Sequence, residues 1–152
     1  MRGVALAYDR AVAAVSGPAF ESAALLLTRL ALAGVFWRSG RSKVVEGTWL
    51  TISDATHFLF AEEYSKVPLP PELAAVLATG AEHLFPVLLV MGLATRLSAL
   101  ALLGMTMTIQ LFVFPDAWWP VHSLWSALCL ILIARGSGMI GLDRLIVRAR
   151  KR

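Results

Sequence analysis

The chain is short of charge. Only 16% of its 152 residues are Asp, Glu, Lys or Arg, while 58% are hydrophobic and the mean hydropathy is +0.71. A water-soluble domain carries about 25% charged and about 45–50% apolar residues, so this chain cannot build an adequate hydrated surface. The class is integral membrane protein. Cysteine is nearly absent. The single Cys129 excludes an intrachain disulfide and any CxxC redox pair, so redox chemistry would need a bound cofactor or a partner. Histidine is scarce as well. The three residues His57, His83 and His122 follow no HxxxH or HxxE spacing, so no metal site is assigned. Glycine-rich phosphate loops, a nucleophile triad and a dinucleotide fingerprint are also missing. The glycines of GSGMIGLD after the last apolar run read as a helix exit and turn.

Four apolar runs remain, at about 19–37, 72–94, 97–114 and 118–134. Each approaches the ~20 residues a bilayer crossing needs. Pro18, Pro71 and Pro115 punctuate their starts and stops. The links Thr95-Arg96 and Pro115–Ala117 are so short that the runs they join must be antiparallel neighbours. The predicted fold is all-α, a four-helix up-down membrane bundle forming a single domain over 1–152. A basic tail occupies 135–152, and a long structured loop joins the first and second spans. Ahead of the first span, residues 5–15 read as a short amphipathic or irregular lead-in that is retained in the mature protein. Within the long loop, Ser53-Asp54 can cap a short helix reaching about Tyr64, expected to lie over the outer mouth of the bundle.

Charge placement orients the spans. One side collects Arg2, Arg10, Arg96, Arg135, Arg144, Arg148, Arg150, Lys151 and Arg152, and the other only Arg38, Arg41, Lys43 and Lys66. The positive-inside rule then puts both termini in the cytoplasm. Trp37, Trp49, Trp118, Trp119 and Trp125 gather toward the outer boundary, as an aromatic belt does. The basic tail suits an anionic lipid face. Nucleic acid is not an expected partner, because nothing folded accompanies that tail.

Charges inside the spans need partners. Counted from the apolar ends, Arg29 and Glu82 both fall near mid-depth, where each unpaired charge costs roughly 2.5–3.5 kcal/mol. They are therefore predicted to form a buried ion pair, which could serve function or simply lock helix packing. His83, about 100° around the helix from Glu82, is a candidate proton carrier, quinone or metal ligand, or packing residue. Nearer the outside, Gln110 and His122 fall at one depth on neighbouring spans, and Arg38, Arg41 and Lys43 end the first span on the same side. Together they predict an electropositive outer pocket suited to an anion or a quinone headgroup. The competing reading is a solvated helix end with snorkelling cations.

In order and spacing, several stretches resemble the DoxX family of small four-helix bacterial membrane proteins. They are RLALAGVFWRSGRSK (29–43), LFAEEYSKVPLPPELAA (59–75), ATGAEHLFPVLLVMGLATR (78–96), MTMTIQLFVFP (105–115) and GSGMIGLDRL (136–145). The family's recurring positions map onto Arg29, Phe36, Gly40, Lys43, Glu82, Gly92, Arg96, Gly136, Gly138 and Asp143. The chain departs from the pattern at Gly141, where Ser is common, and at His83, where an apolar residue is common. The resemblance implies a bacterial inner-membrane protein; the family is named from a subunit of an archaeal thiosulfate:quinone oxidoreductase, and other members are tied to bacterial thiol and oxidative-stress complexes at the membrane. The expected role is thus a membrane subunit of a quinone-linked or redox-stress system, with a protein partner and with quinone as the candidate cofactor. The alternative is a non-catalytic scaffold or small-molecule carrier whose polar core is structural.

Overall fold

The computed structural model describes residues 2–150 and is all-helical over them, with no strand beyond an isolated bridge between Val44 and Ile52. The basic-tail residues Lys151 and Arg152 lie outside the described residues. A first helix, α1 (Arg2–Val15), ends at the Ser16-Gly17 break. It is followed by α2 (Pro18–Ser42), α3 (Asp54–Glu62), α4 (Pro71–Met91), α5 (Thr95–Phe112), α6 (Ser123–Arg135) and α7 (Leu142–Ala149). A 3-10 turn (Pro115–Ala117) and a widened π turn (Trp118–His122) lead into α6. Four helical segments are long and apolar enough to cross a membrane: Pro18–Ser42, Pro71–Met91, Thr95–Phe112 and Pro115–Arg135, with mean hydropathies of 1.5, 1.8, 1.2 and 1.5. Each leaves large aliphatic side chains such as Leu27, Leu84, Leu100 and Leu130 exposed. Lipid can cover this surface and water cannot.

Local chemistry sets the helix ends. Pro18 and Pro71 occupy first-turn positions, where the missing N–H is not needed. The Ser53 side chain accepts from the Thr56 N–H and caps α3. The helix α4 stops at Gly92, whose φ of +65° is the left-handed conformation glycine adopts most easily. The lead-in is a helix rather than irregular chain. The first span also runs further than its hydropathy suggests, continuing from Trp37 to Ser42. Arg38 and Arg41 therefore belong to its last two turns, where cations complement the helix dipole.

Helix α2 packs on α4 and α6, and α5 packs on the same two. Leu25, Leu32, Ala33 and Phe36 of α2 meet Leu89, Ala99, Leu102, Cys129 and Leu132 in the principal core. A second cluster forms where Phe60 of α3 is buried on Ala74 and Ala75 of α4, with Ile52, Tyr64 and Ala78 around it. This small core anchors α3 beside the N-terminal half of α4 and fixes the wall of the site described next.

Candidate functional site

The site is built on the last turn of α2 and the middle of α4. Lys43, the C-cap of α2, turns its side chain inward, so that its Nζ lies 3.0 Å from Oε1 and 2.8 Å from Oε2 of Glu82. Both side chains are almost fully enclosed, at 9% and 3% exposure. Ser39, one helical turn before Lys43, donates its hydroxyl to Glu82 Oε1 at 3.0 Å, and its own Oγ and carbonyl accept from the ammonium at 2.9 and 3.3 Å. The three ammonium donors are thereby matched by Ser39 and Glu82. The Lys43 carbonyl in turn accepts from the Ser53 N–H at 3.0 Å and the Thr56 hydroxyl at 2.9 Å. The start of α3 thus holds the backbone from which the lysine reaches.

Glycine makes the close approach of α2 to α4 feasible. A Cβ at Gly40 would stand 3.0 Å from the Glu82 Cβ and 3.0 Å from the His83 ring. His83 faces α2 here. Its Nδ1–H donates to the Thr79 carbonyl at 2.7 Å, and its ring meets the Trp37 ring edge-on at 5.2 Å. Since a carbonyl can only accept, Nδ1 carries a proton, and Nε2 is buried with no partner among the described residues. Pro86 lies one turn beyond Glu82 and lacks an N–H, which leaves the Glu82 main-chain carbonyl without its helical donor.

The ion pair borders a cavity of about 320 Å³ between α3, α4 and α5. Phe60, Ala78, Ala81, Met105 and Ile109 supply apolar wall, and Lys43, Glu82, Tyr64 and Thr108 supply the polar groups. Burial, followed by the negative fields of Glu82 and Glu63, pushes the Tyr64 phenol above its ordinary value, so it stays a protonated donor. Small-molecule sites combine such features: a mostly apolar concavity of about 300–1,000 Å³ with a few convergent polar groups.

The predicted Arg29–Glu82 pair does not form. Arg29 is fully buried, but its guanidinium donates to the carbonyls of Leu89 at 3.0 Å and Val90 at 3.3 Å, and to that of Ile140. The reason is helix stagger. Gly40 lies level with Glu82, and the stretch of α2 from Arg29 to Gly40 covers about 16 Å. Arg29 therefore reaches the end of α4, where it joins the Gly92 N–H on the Leu89 carbonyl and supplies a donor to that of Val90. Asp143 does the converse on α5, accepting from the N–H groups of Ala94 at 2.7 Å and Thr95 at 3.0 Å. Arg29 and Asp143 thus join the α4–α5 turn to the segment around α7.

The five residues assigned to an outer pocket separate as well. Lys43 turns in to Glu82. Arg41 donates to the Thr48 carbonyl at 2.8 Å and lies over the Trp49 ring at 6.0 Å, closing the turn after α2. Arg38 is exposed. His122 and Gln110 do meet, with Nδ1–H donating to the amide oxygen at 2.7 Å, while the Gln110 amide donates to the Pro115 carbonyl at 2.6 Å. These bonds hold the irregular entry to α6. Among the described residues, no group of His, Cys, Asp and Glu could hold a metal. Sequence reasoning missed Ser39 and Tyr64. Ser39 had a usable signal, since it stands four residues before Lys43 on the same helix face.

Comparison with known proteins agrees with the fold. The DoxX family model matches residues 24–115. An uncharacterized protein of Haemophilus influenzae is 32% identical over 142 residues, which cover 80% of this chain and 82% of that one. No solved structure matches. The chain belongs to the DoxX family and carries four helices fit to span a membrane.

Proposed function

We propose that this DoxX-family membrane protein is the quinone-binding membrane subunit of a thiol or oxidative-stress redox system in the bacterial inner membrane. In this reading the four spans run up and down, both termini face the cytoplasm, and the loop carrying α3 caps the outer end of the cavity. The observation that carries the proposal is the enclosed Lys43–Glu82 pair bordering a mostly apolar cavity of about 320 Å³. A buried ion pair is a weak source of stability, because desolvation offsets much of its attraction. One exposed to a ligand-sized cavity is better explained by a polar ligand.

The donor set fits a quinone. Such a ring is planar and apolar, with carbonyl oxygens that accept hydrogen bonds and a tail at home in lipid. Tyr64 supplies a donor, Phe60 and Met105 supply apolar contact, and the Lys43–Glu82 pair forms a polar edge beside them. The bound quinone would supply the two-electron couple. The chain has no thiol pair of its own, since its lone Cys129 is buried and unpaired, so electrons would come from a partner protein.

One observation favours the rival reading, a scaffold or carrier with a structural polar core: Ser39 and Glu82 already match all three Lys43 donors. Mass spectrometry of the protein purified from gently solubilised membranes separates the two. The proposal expects co-purifying quinone in the wild type, and its loss when Ala81→Phe fills the cavity without touching the ion pair. A quinone-free wild type, with the host stress phenotype retained by Glu82→Gln, would leave the scaffold. A C-terminal reporter active on the periplasmic side would overturn the orientation.

A further inference from the structure

A second concavity lies at the opposite end of the bundle from the ion pair. It is a groove of about 840 Å³ where the start of α2, the α4–α5 turn, the end of α6 and α7 converge. Four arginines border it: Arg96, Arg135, Arg144 and Arg148. Its two carboxylates are already committed. Glu21 is bound by Arg135, with Nε at 2.7 Å from Oε1, and Asp143 accepts from the backbone N–H groups of Ala94 and Thr95. Arg96 spends one donor on the Ala134 carbonyl at 3.2 Å. Arg96, Arg144 and Arg148 therefore have no carboxylate partner among the described residues.

Arg144 and Arg148 stand four residues apart on one face of α7. Like charges at that spacing repel and weaken a short helix, and an anion between them would reverse the effect. The other face of α7 exposes Leu142, Leu145 and Ile146, and Ile146 and Val147 also line the groove. The groove sits where α2 begins, α4 and α5 meet and α6 ends. That is the level at which a spanning bundle meets lipid headgroups.

We infer that this groove holds the phosphodiester of an anionic phospholipid, gripped by Arg144, Arg148 and Arg96, with its acyl chains lying along the apolar residues of α7. Guanidinium matches phosphate oxygens with paired donors. The adjoining apolar surface distinguishes a lipid from a soluble phosphate ester. The site is independent of the quinone reading, since it shares no residue with the Lys43–Glu82 cavity.

The test is native mass spectrometry of the full chain released from mixed micelles of phosphatidylglycerol and phosphatidylcholine. Phosphatidylglycerol is expected to be retained preferentially, and Arg144→Gln/Arg148→Gln to weaken its retention roughly thirtyfold. The double lysine variant should recover part of the loss, which separates charge from folding. Equal retention of the two lipids would overturn the inference. So would an equal loss on Arg38→Gln/Lys66→Gln, which removes the same charge far from the groove. Displacement of the lipid by millimolar glycerol 3-phosphate would contradict the lipid assignment and point to a soluble ester.

Discussion

The Lys43 ammonium, at the C-cap of α2, and the Glu82 carboxylate, within α4, meet at 2.8–3.0 Å. Removing one partner leaves the other charged in an enclosed site. Lys43→Met or Glu82→Leu alone should destabilise the protein by about 3–5 kcal/mol, whereas the double variant should return close to the wild type. Chemical unfolding in detergent measures the cycle. Additive losses would mean that the two groups are not coupled.

Arg29 caps α4 through the carbonyls of Leu89 and Val90 and also binds that of Ile140. Arg29→Leu should cost roughly 3 kcal/mol or more by removing the charge-assisted hydrogen bonds to these three carbonyls. Gly92→Ala should also be severe. Its φ is +65°, and a Cβ there would stand 2.7 Å from the Gly141 Cα and run into the Arg29 guanidinium. Gly34→Ala is the control, because nothing lies within 4 Å of its added Cβ. It should be neutral or slightly stabilising, as alanine replaces glycine within a helix.

Gly40 sets the distance between α2 and α4 at the site. A methyl group there presses on both Glu82 and His83 at 3.0 Å. Gly40→Ala should cost about 1–3 kcal/mol through overpacking. It should also disturb the His83 ring, whose Nδ1–H signal in nuclear magnetic resonance reports the bond to Thr79. An unshifted signal would mean that the helices separate without cost to the site.

Tyr64 holds its proton more tightly in the folded protein than in the unfolded chain, because burial and the fields of Glu82 and Glu63 oppose ionisation. With the folded value above the unfolded one, stability is intact below about pH 10 and falls as pH rises beyond it. Tyr64→Phe should flatten that alkaline decline and remove the later step of tyrosinate absorbance. Because Glu82 contributes to the shift, Glu82→Gln should bring the step to lower pH.

Much of the fold is legible in the sequence because hydropathy and helix punctuation are local. Pro18, Pro71, Gly92 and the Ser53 cap each act within a few residues of themselves. Helix stagger is not local. Bounding the first span at Trp37 ended it too early and put Arg29 at mid-depth, level with Glu82. The extra turns through Ser42 move the true contact to Gly40. Glu82 is visible as a charge in need of a partner, and Lys43 as a cation ending the first span. Their partnership was hidden because a lysine at a helix end can snorkel outward or fold back inward, and only the packing of α2 on α4 decides. Tyr64 gave no signal, since its role depends on how α3 docks on α4 through Phe60.

The central claim is that the cavity beside Lys43 and Glu82 holds a quinone ring. Its most direct test is equilibrium binding of a short-chain benzoquinone to the purified protein, alongside Ala81→Phe and Thr108→Phe, which fill the cavity from the α4 and α5 walls. The account predicts saturable binding at one site per chain, weakened at least about tenfold in both variants while their melting temperatures stay near the wild type. Wild-type protein that shows no saturable binding, or filled variants that bind as well as it does, would contradict it.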